Sequence, residues 1–132
     1  MACNLYIKEI NMLDANMLIL YVDSPEASCT FYEKLLGRQP LEASPTFGMF
    51  RFESGVLFGL WSKHTVEPRA GEITASGELA FGLESRQDVD LYYRQWKEKG
   101  VKILQAPVLM DFGYTFTACD PDGHRLRVFV AE

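Results

Sequence analysis

Short apolar runs alternate with amphipathic stretches along the chain, and their order predicts strands and helices. In the first half, residues 17–22 form an apolar run of β character. Ala27, Phe31 and Leu35 then recur at four-residue steps, which places them on one face of a helix. Three further short runs predict strands at residues 40–43, 47–53 and 56–62, with a hairpin turn at 53–55 between the last two.

The second half repeats this order. Residues 79–83 form an apolar run, and Val89, Tyr92, Tyr93 and Trp96 follow at the spacing of one amphipathic helix face, which we expect to pack in the core. Three more strands are predicted at residues 101–104, 108–117 and 125–130, with a turn at 120–123 before the last.

The residues at the ends of both predicted helices support these assignments. Ser24 and Ser85 are suited to the N-cap, where a side-chain oxygen accepts a hydrogen bond from a free backbone N–H. Pro25 suits a first helical position, and Gly37 and Gly100 suit C-terminal ends.

The resulting order is β-α-β-β-β followed by β-α-β-β-β, which predicts the α+β class. The length of 132 residues favours one domain spanning 1–132. Within it we expect module 1 at about 16–62, a polar linker at 63–76 and module 2 at about 77–131. Residues 1–14 are an added segment of uncertain structure.

Composition excludes several classes of protein. Apolar residues make up 48% and charged residues 23%, a globular balance, and the formal net charge of −5 argues against nucleic acid or an anionic membrane as a partner. No apolar run is long enough for a membrane span, and residues 1–14 do not have the pattern of a signal peptide. Cys3, Cys29 and Cys119 have no metal-binding spacing, so we expect reduced thiols in a cytoplasmic protein.

Two motifs connect this pattern to a known family. Phe31-Tyr32-x-x-Leu35-Leu36-Gly37 ends the first helix, and Asp120-Pro121-Asp122-Gly123-His124-x-Leu126 precedes the last strand. The sequence resembles the vicinal oxygen chelate superfamily, which includes glyoxalase I, bleomycin-resistance proteins, fosfomycin-resistance enzymes and extradiol dioxygenases. The resemblance covers about residues 16–131. It implies two βαβββ modules that form a curved mixed sheet around a cleft, in a chain that pairs into a homodimer.

The resemblance also implies where a metal would be held. Enzymes of the superfamily bind a divalent metal through His, Glu or Gln, and the corresponding positions here are Met17, Gly59, Glu78 and Arg127. Only Glu78 can bind a hard cation, whereas a catalytic metal needs about three such ligands. We therefore expect no metal, no cofactor and no catalytic residues.

A closer resemblance is to the metal-free, drug-binding branch that includes phenazine antibiotic resistance proteins. The matching segments are 57–62 in the first module and 112–116 in the second. This resemblance implies a protein that sequesters a small, flat, hydrophobic or aromatic molecule, and an antibiotic is the expected ligand.

The candidate ligand-binding residues follow from the same segments. Trp61 and Gly59 share one strand face by alternation, so Trp61 offers a surface for stacking and Gly59 makes room beside it. Arg127 either contacts a ligand anion or pairs with Glu78, and both can hold. Core packing is the alternative for each aromatic side chain. The full candidate set is Trp61, Gly59, Glu78, Arg127, Tyr114, Phe112, Met17 and Met110.

Other polar residues are expected to be structural. His124 belongs to the turn motif, His64 lies in the linker, and Arg51 and Arg125 are expected on the outer face. The sequence therefore favours a non-enzymatic binding protein. The alternative is a metal-dependent lyase of the glyoxalase type or a dioxygenase, which would need at least two further N/O ligands in the cleft.

Overall fold

A computed structural model describes residue 13 and residues 15–72 and 75–132. The added segment predicted at 1–14 therefore lies almost wholly outside the described residues. The elements in chain order are β1 (Met17–Val22), α1 (Pro25–Leu36), β2 (Glu42–Ala43), β3 (Phe47–Arg51), β4 (Leu57–Ser62), β5 (Glu78–Gly82), α2 (Arg86–Glu98), β6 (Lys102–Met110), β7 (Gly113–Cys119) and β8 (Arg125–Ala131).

The strands form two four-stranded sheets of the same topology. Sheet 1 has the order β1-β4-β3-β2, and sheet 2 has the order β5-β8-β7-β6. In each sheet the first strand pairs in parallel with the last strand of its module, and the other pairs are antiparallel. The α+β class and the doubled βαβββ order are confirmed.

The predicted helix ends are also confirmed. The side-chain oxygen of Ser24 accepts a hydrogen bond from the N–H of Ala27, and that of Ser85 accepts one from the N–H of Asp88, both at 3.1 Å. Gly37 has a φ of 68°, the left-handed conformation that ends helices. Local sequence signals therefore set both helices.

Two strand predictions are wrong. The strand predicted at 101–104 continues as β6 to Met110 without the expected break. The apolar stretch at 108–117 is not one strand, because a turn at Asp111 and Phe112 divides it between β6 and β7. Gly113, at the start of β7, has a φ of 144°, and a Cβ there would lie 2.0 Å from the carbonyl oxygen of Val130. Phe112 is apolar, so the turn does not interrupt the hydrophobic pattern. The tight approach to β8 is not visible in the sequence.

Each helix covers one face of its own sheet. Tyr32 of α1 packs edge-on against Phe58 of β4 at 4.8 Å between ring centroids. Trp96 of α2 packs edge-on against Phe81 and Phe116 of sheet 2 and is 4% exposed, as expected for a core residue. Strand side chains alternate, so the remaining ones form the opposite face of each sheet, and neither helix of the described residues packs against that face. Neither helix among the described residues is long and apolar enough to cross a membrane.

A buried polar cluster joins the two modules. The hydroxyl of Tyr32 in α1 donates a hydrogen bond to Oδ2 of Asp120 in module 2 at 2.7 Å, and Tyr32 is fully buried. His124 contacts the same carboxylate through its backbone N–H at 2.8 Å and through Nδ1 at 2.9 Å. The two family motifs therefore contact each other across the module boundary.

Candidate ligand-binding site

The uncovered face of sheet 1, termed open face 1, is mainly apolar and aromatic, with two charged residues. By strand alternation it is formed by residues Met17, Ile19, Tyr21, Glu42, Phe47, Met49, Arg51, Leu57, Gly59 and Trp61. Trp61 is partly buried and packs edge-on against Phe47 at 6.1 Å between ring centroids. Tyr21 lies beside Trp61 on the neighbouring strand and is 39% exposed. An indole with a tyrosine and a phenylalanine next to it is suited to stacking on a flat ring.

Gly59 has a different role from the one expected. A Cβ at Gly59 would lie 3.0 Å from the ring of Phe47 and 3.3 Å from the side chain of Ile19. The missing side chain therefore gives space to these two protein side chains, and not to an open volume beside Trp61. The prediction that Gly59 makes room for a ligand is wrong in this respect, although Gly59 does share a face with Trp61.

The uncovered face of sheet 2, termed open face 2, contains an ordered ion pair. It is formed by Glu78, Ala80, Gly82, Val108, Met110, Gly113, Thr115, Thr117, Arg125, Arg127 and Phe129, with Phe112 in the adjoining turn. Nε and Nη2 of Arg127 donate to the two carboxylate oxygens of Glu78 at 2.7 and 2.9 Å. Nη1 of Arg127 donates to the hydroxyl of Thr115 at 3.2 Å. Glu78 and Arg127 therefore pair with each other, which is one of the two alternatives predicted for Arg127.

The ion pair also keeps Glu78 charged. The hydrogen bond from Arg127 lowers the pKa of Glu78, and the positive charges of Arg127 and Arg125 act in the same direction against a smaller effect of burial. At neutral pH the pair is therefore a carboxylate beside a guanidinium, with little net charge.

Aromatic side chains lie next to this pair. The guanidinium carbon of Arg127 lies 5.6 Å from the ring centroid of Phe112, within cation–π distance. Phe112 packs edge-on against Phe129 at 6.1 Å, and Met110 is 40% exposed on the same face. Phe112 therefore lies beside Arg127 and Met110 lies on the same face of sheet 2, and their role in lining a cleft stays a prediction.

Tyr114 does not belong to either open face. Its neighbours Gly113 and Thr115 alternate onto open face 2, so Tyr114 points towards α2, where its hydroxyl donates to Asp90 at 2.7 Å. The guanidinium carbon of Arg86 lies 5.1 Å from the ring centroid of Tyr114. The prediction that Tyr114 lines the cleft is wrong, because the turn at Asp111 and Phe112 sets the strand phase.

Sequence reasoning missed other residues of the two faces. Arg125 and Arg51 were expected on the outer face, but strand alternation places them with Arg127 and Met49 respectively. Phe129 and Tyr21 were not identified at all. Strand alternation would have identified both residues, because steps of two positions lead from Arg127 to Phe129 and from Met17 to Tyr21.

The histidines have structural partners. His64 Nε2 lies 2.7 Å from the carboxylate of Asp23, in an exposed pair. His124 is bound to Asp120 within the buried cluster between the modules. Both histidines lie outside the two open faces.

The residues at the family's metal positions do not fit a divalent ion. Met17 and Gly59 lie on open face 1, and Glu78 and Arg127 lie on open face 2. Both oxygens of Glu78 accept hydrogen bonds from Arg127, whose positive charge repels a cation. In the part of the chain that the structure describes, no three His, Cys, Asp or Glu side chains converge. We therefore derive no chemistry through a metal.

The fold and the motif contacts agree with a family model. The model, described as the Glyoxalase/Bleomycin resistance protein/Dioxygenase superfamily, matches residues 14–128. The chain belongs to this superfamily. Within the superfamily, it is 31% identical over 116 residues to the phenazine antibiotic resistance protein EhpR of Enterobacter agglomerans, covering 86% of this chain and 88% of that one.

Solved structures support the superfamily fold. The solution structure of protein ATC0852 from Agrobacterium tumefaciens is 52% identical, with a TM-score of 0.82, covering 92% of this chain and 99% of that one. A glyoxalase/bleomycin resistance protein/dioxygenase from Nocardioides is 23% identical, with a TM-score of 0.77 and coverage of 98% and 93%. The second likeness is evidence for the fold alone.

Proposed function

We propose that this chain is a metal-free protein that binds a small, flat, hydrophobic aromatic molecule and confers resistance to an antibiotic of that kind by sequestering it. The observation that carries the proposal is the position of Trp61 beside Phe47 and Tyr21 on a mainly apolar sheet face that neither helix of the described residues covers. The likeness to a phenazine antibiotic resistance protein supports a role in resistance. A phenazine is therefore a reasonable first ligand.

Apolar burial on open face 1 supplies most, but not all, of the free energy that this role needs. A three-ring ligand that buries about 250 Å² of apolar surface gains about 6 kcal/mol at roughly 25 cal/mol per Å². Stacking on Trp61 adds about 0.5–1.5 kcal/mol. Micromolar affinity corresponds to a binding free energy of about 8 kcal/mol, which is more than open face 1 supplies by itself. A second surface must therefore also cover the ligand.

A second copy of the chain can provide that surface. Met17, Ile19 and Tyr21 of open face 1 and Met110 and Phe112 of open face 2 are between 36% and 43% exposed, so each open face leaves large apolar side chains accessible to a partner. We propose a homodimer in which open face 1 of one protomer faces open face 2 of its partner. Each of the two clefts then combines the aromatic face around Trp61 with the ion pair of Arg127.

Light scattering tests the dimer directly. At micromolar concentration we expect a mass of about twice the chain mass of 15.0 kDa, because isolated open faces would leave apolar surface in water. A mass close to 15.0 kDa would contradict the dimer.

Tryptophan fluorescence tests the ligand site. Phenazine should quench the emission of Trp61, and Trp61→Ala should remove most of the quenching and weaken binding by about 1–3 kcal/mol, which calorimetry can measure independently. Trp61→Phe should cost less, because an aromatic face remains. Tyr92→Ala is the matched control, since Tyr92 is an exposed aromatic residue on α2, away from both open faces.

Two outcomes would contradict the proposal. If Trp61→Ala binds phenazine as tightly as the parent protein, then Trp61 is a packing residue and the site lies elsewhere. If protein purified without chelator carries a stoichiometric divalent metal, then the metal-free description is wrong.

A further inference from the structure

The hydrogen-bonding capacity of Arg127 is only partly used. A guanidinium has five N–H donors. Two of them bind Glu78 and one binds Thr115, so two remain without a partner among the described residues. The side-on pairing through Nε and Nη2 holds the guanidinium in place. A ligand can therefore meet a fixed donor edge at Arg127.

Glu78 offers the complementary acceptor. Its two carboxylate oxygens can accept about four hydrogen bonds, and Arg127 occupies two of these positions. The Glu78 side chain is 31% exposed on open face 2, so its remaining lone pairs are accessible. Donor and acceptor thus lie side by side on one ion pair.

The carboxylate of Glu78 disfavours an anionic ligand at Arg127. A ligand carboxylate that approached the free edge of Arg127 would also approach the charged carboxylate of Glu78. Displacing Glu78 would leave that group without its partner, which is costly for a partly buried charge. An uncharged ligand meets neither penalty.

We propose that Arg127 and Glu78 together select an uncharged aromatic ligand that carries an adjacent acceptor and donor, as in a carboxamide, and discriminate against the corresponding carboxylate. The ligand carbonyl accepts from Arg127 and the ligand N–H donates to Glu78. This inference rests on the proposed function, because it requires an aromatic ligand to bind between the open faces.

Arg125 is the cation on open face 2, besides Arg127, that could oppose this selection. It shares open face 2 with Arg127, pairs in register with Glu78 and is exposed. No salt bridge of Arg125 is formed with the described residues. An exposed cation is screened by water and salt, so we expect it to attract a carboxylate only weakly.

The experiment compares three probes that share one ring system: phenazine, phenazine-1-carboxamide and phenazine-1-carboxylate. Binding is measured at neutral pH by Trp61 fluorescence and by calorimetry, on the parent protein, Glu78→Gln and Arg125→Gln. The parent should bind the carboxamide at least about tenfold more tightly than the carboxylate. Glu78→Gln should reduce this ratio to about threefold or less, because the like charge is removed. Arg125→Gln should keep the ratio at least as high as in the parent, because it removes a cation that attracts the carboxylate only weakly.

Each failure has a distinct meaning. Equal or tighter binding of the carboxylate by the parent protein overturns the selection, and loss of that preference in Arg125→Gln would identify Arg125 as the anion contact. The ratio of carboxamide to carboxylate affinity in the parent protein decides this by itself. The inference can therefore be overturned even if Glu78→Gln does not fold. If none of the three probes binds, the proposed function fails and the selection fails with it.

Discussion

The hydrogen bond between Tyr32 and Asp120 provides a sharp test of how the two modules are joined. Tyr32→Phe removes one hydroxyl and leaves the ring, which packs edge-on against Phe31 and Phe58. Tyr32 is fully buried and Asp120 is 4% exposed, so water cannot replace the lost donor. The variant therefore isolates the contribution of one interaction across the module boundary.

The expected cost follows from the state of Asp120. Burial by itself would raise the pKa of Asp120, but the hydrogen bonds from His124 and Tyr32 outweigh it and lower the pKa below its ordinary value. The acceptor is thus ionised at neutral pH, and hydrogen bonds to charged groups contribute roughly 1.5–3 kcal/mol. Three donors remain on Asp120, from His124 Nδ1 and the N–H groups of Asp122 and His124. We therefore expect Tyr32→Phe to lower the free energy of unfolding by about 2 kcal/mol.

Urea unfolding followed by far-UV circular dichroism measures this difference. The protomer concentration must be the same for all variants, since a dimer makes apparent stability concentration-dependent. Tyr92→Phe is the matched control, because its side chain is exposed, and it should stay within about 0.5 kcal/mol of the parent. A cost below about 0.5 kcal/mol for Tyr32→Phe would refute the reasoning and show that other contacts join the modules.

Two further predictions concern other buried contacts. Asp120 raises the pKa of His124 against the opposing effect of burial, so the pair stabilises the protein fully below pH 6.5, and this stability is lost as the pH rises through the raised value. His124→Gln should therefore lower the melting temperature more at pH 5.5 than at pH 9. His64→Gln is the control, because His64 belongs to an exposed pair, and it should change the melting temperature little at either pH. Equal losses for His124→Gln at both pH values would contradict the pairing. A Cβ at Gly48 would lie 2.2 Å from the sulfur of Cys29, so Gly48→Ala should cost about 1–3 kcal/mol in urea unfolding, and adding Cys29→Ala should restore most of it. An unchanged urea midpoint for Gly48→Ala would show that α1, which contains Cys29, can move away from β3 at little cost.

The sequence by itself determined the elements and their repetition. Helix ends depend on residues within one turn, so Ser24, Ser85 and Gly37 specify them locally. Amphipathic spacing likewise identified the buried face of α2 around Trp96. Arg127 and Glu78 could be placed together because a motif anchors the last strand and the resemblance supplied the facing position.

The face of the sheet on which each strand side chain lies was decided only by the tertiary structure. A single turn residue moves every later side chain to the other face of a sheet, since the side-chain period in a strand is two residues. The turn at Asp111 and Phe112 carries no local signal, because Phe112 continues the apolar pattern and the close approach of Gly113 to Val130 depends on a distant strand. For this reason Tyr114 was assigned to the wrong face.

Contacts between the modules were also beyond the sequence. Tyr32 and Asp120 are 88 positions apart, and each belongs to a motif that could be explained without the other. Nothing in the spacing of residues shows that a buried carboxylate needs a donor from the other module. The folded chain decides this, because a charge removed from water must find its hydrogen-bond partners wherever packing places them.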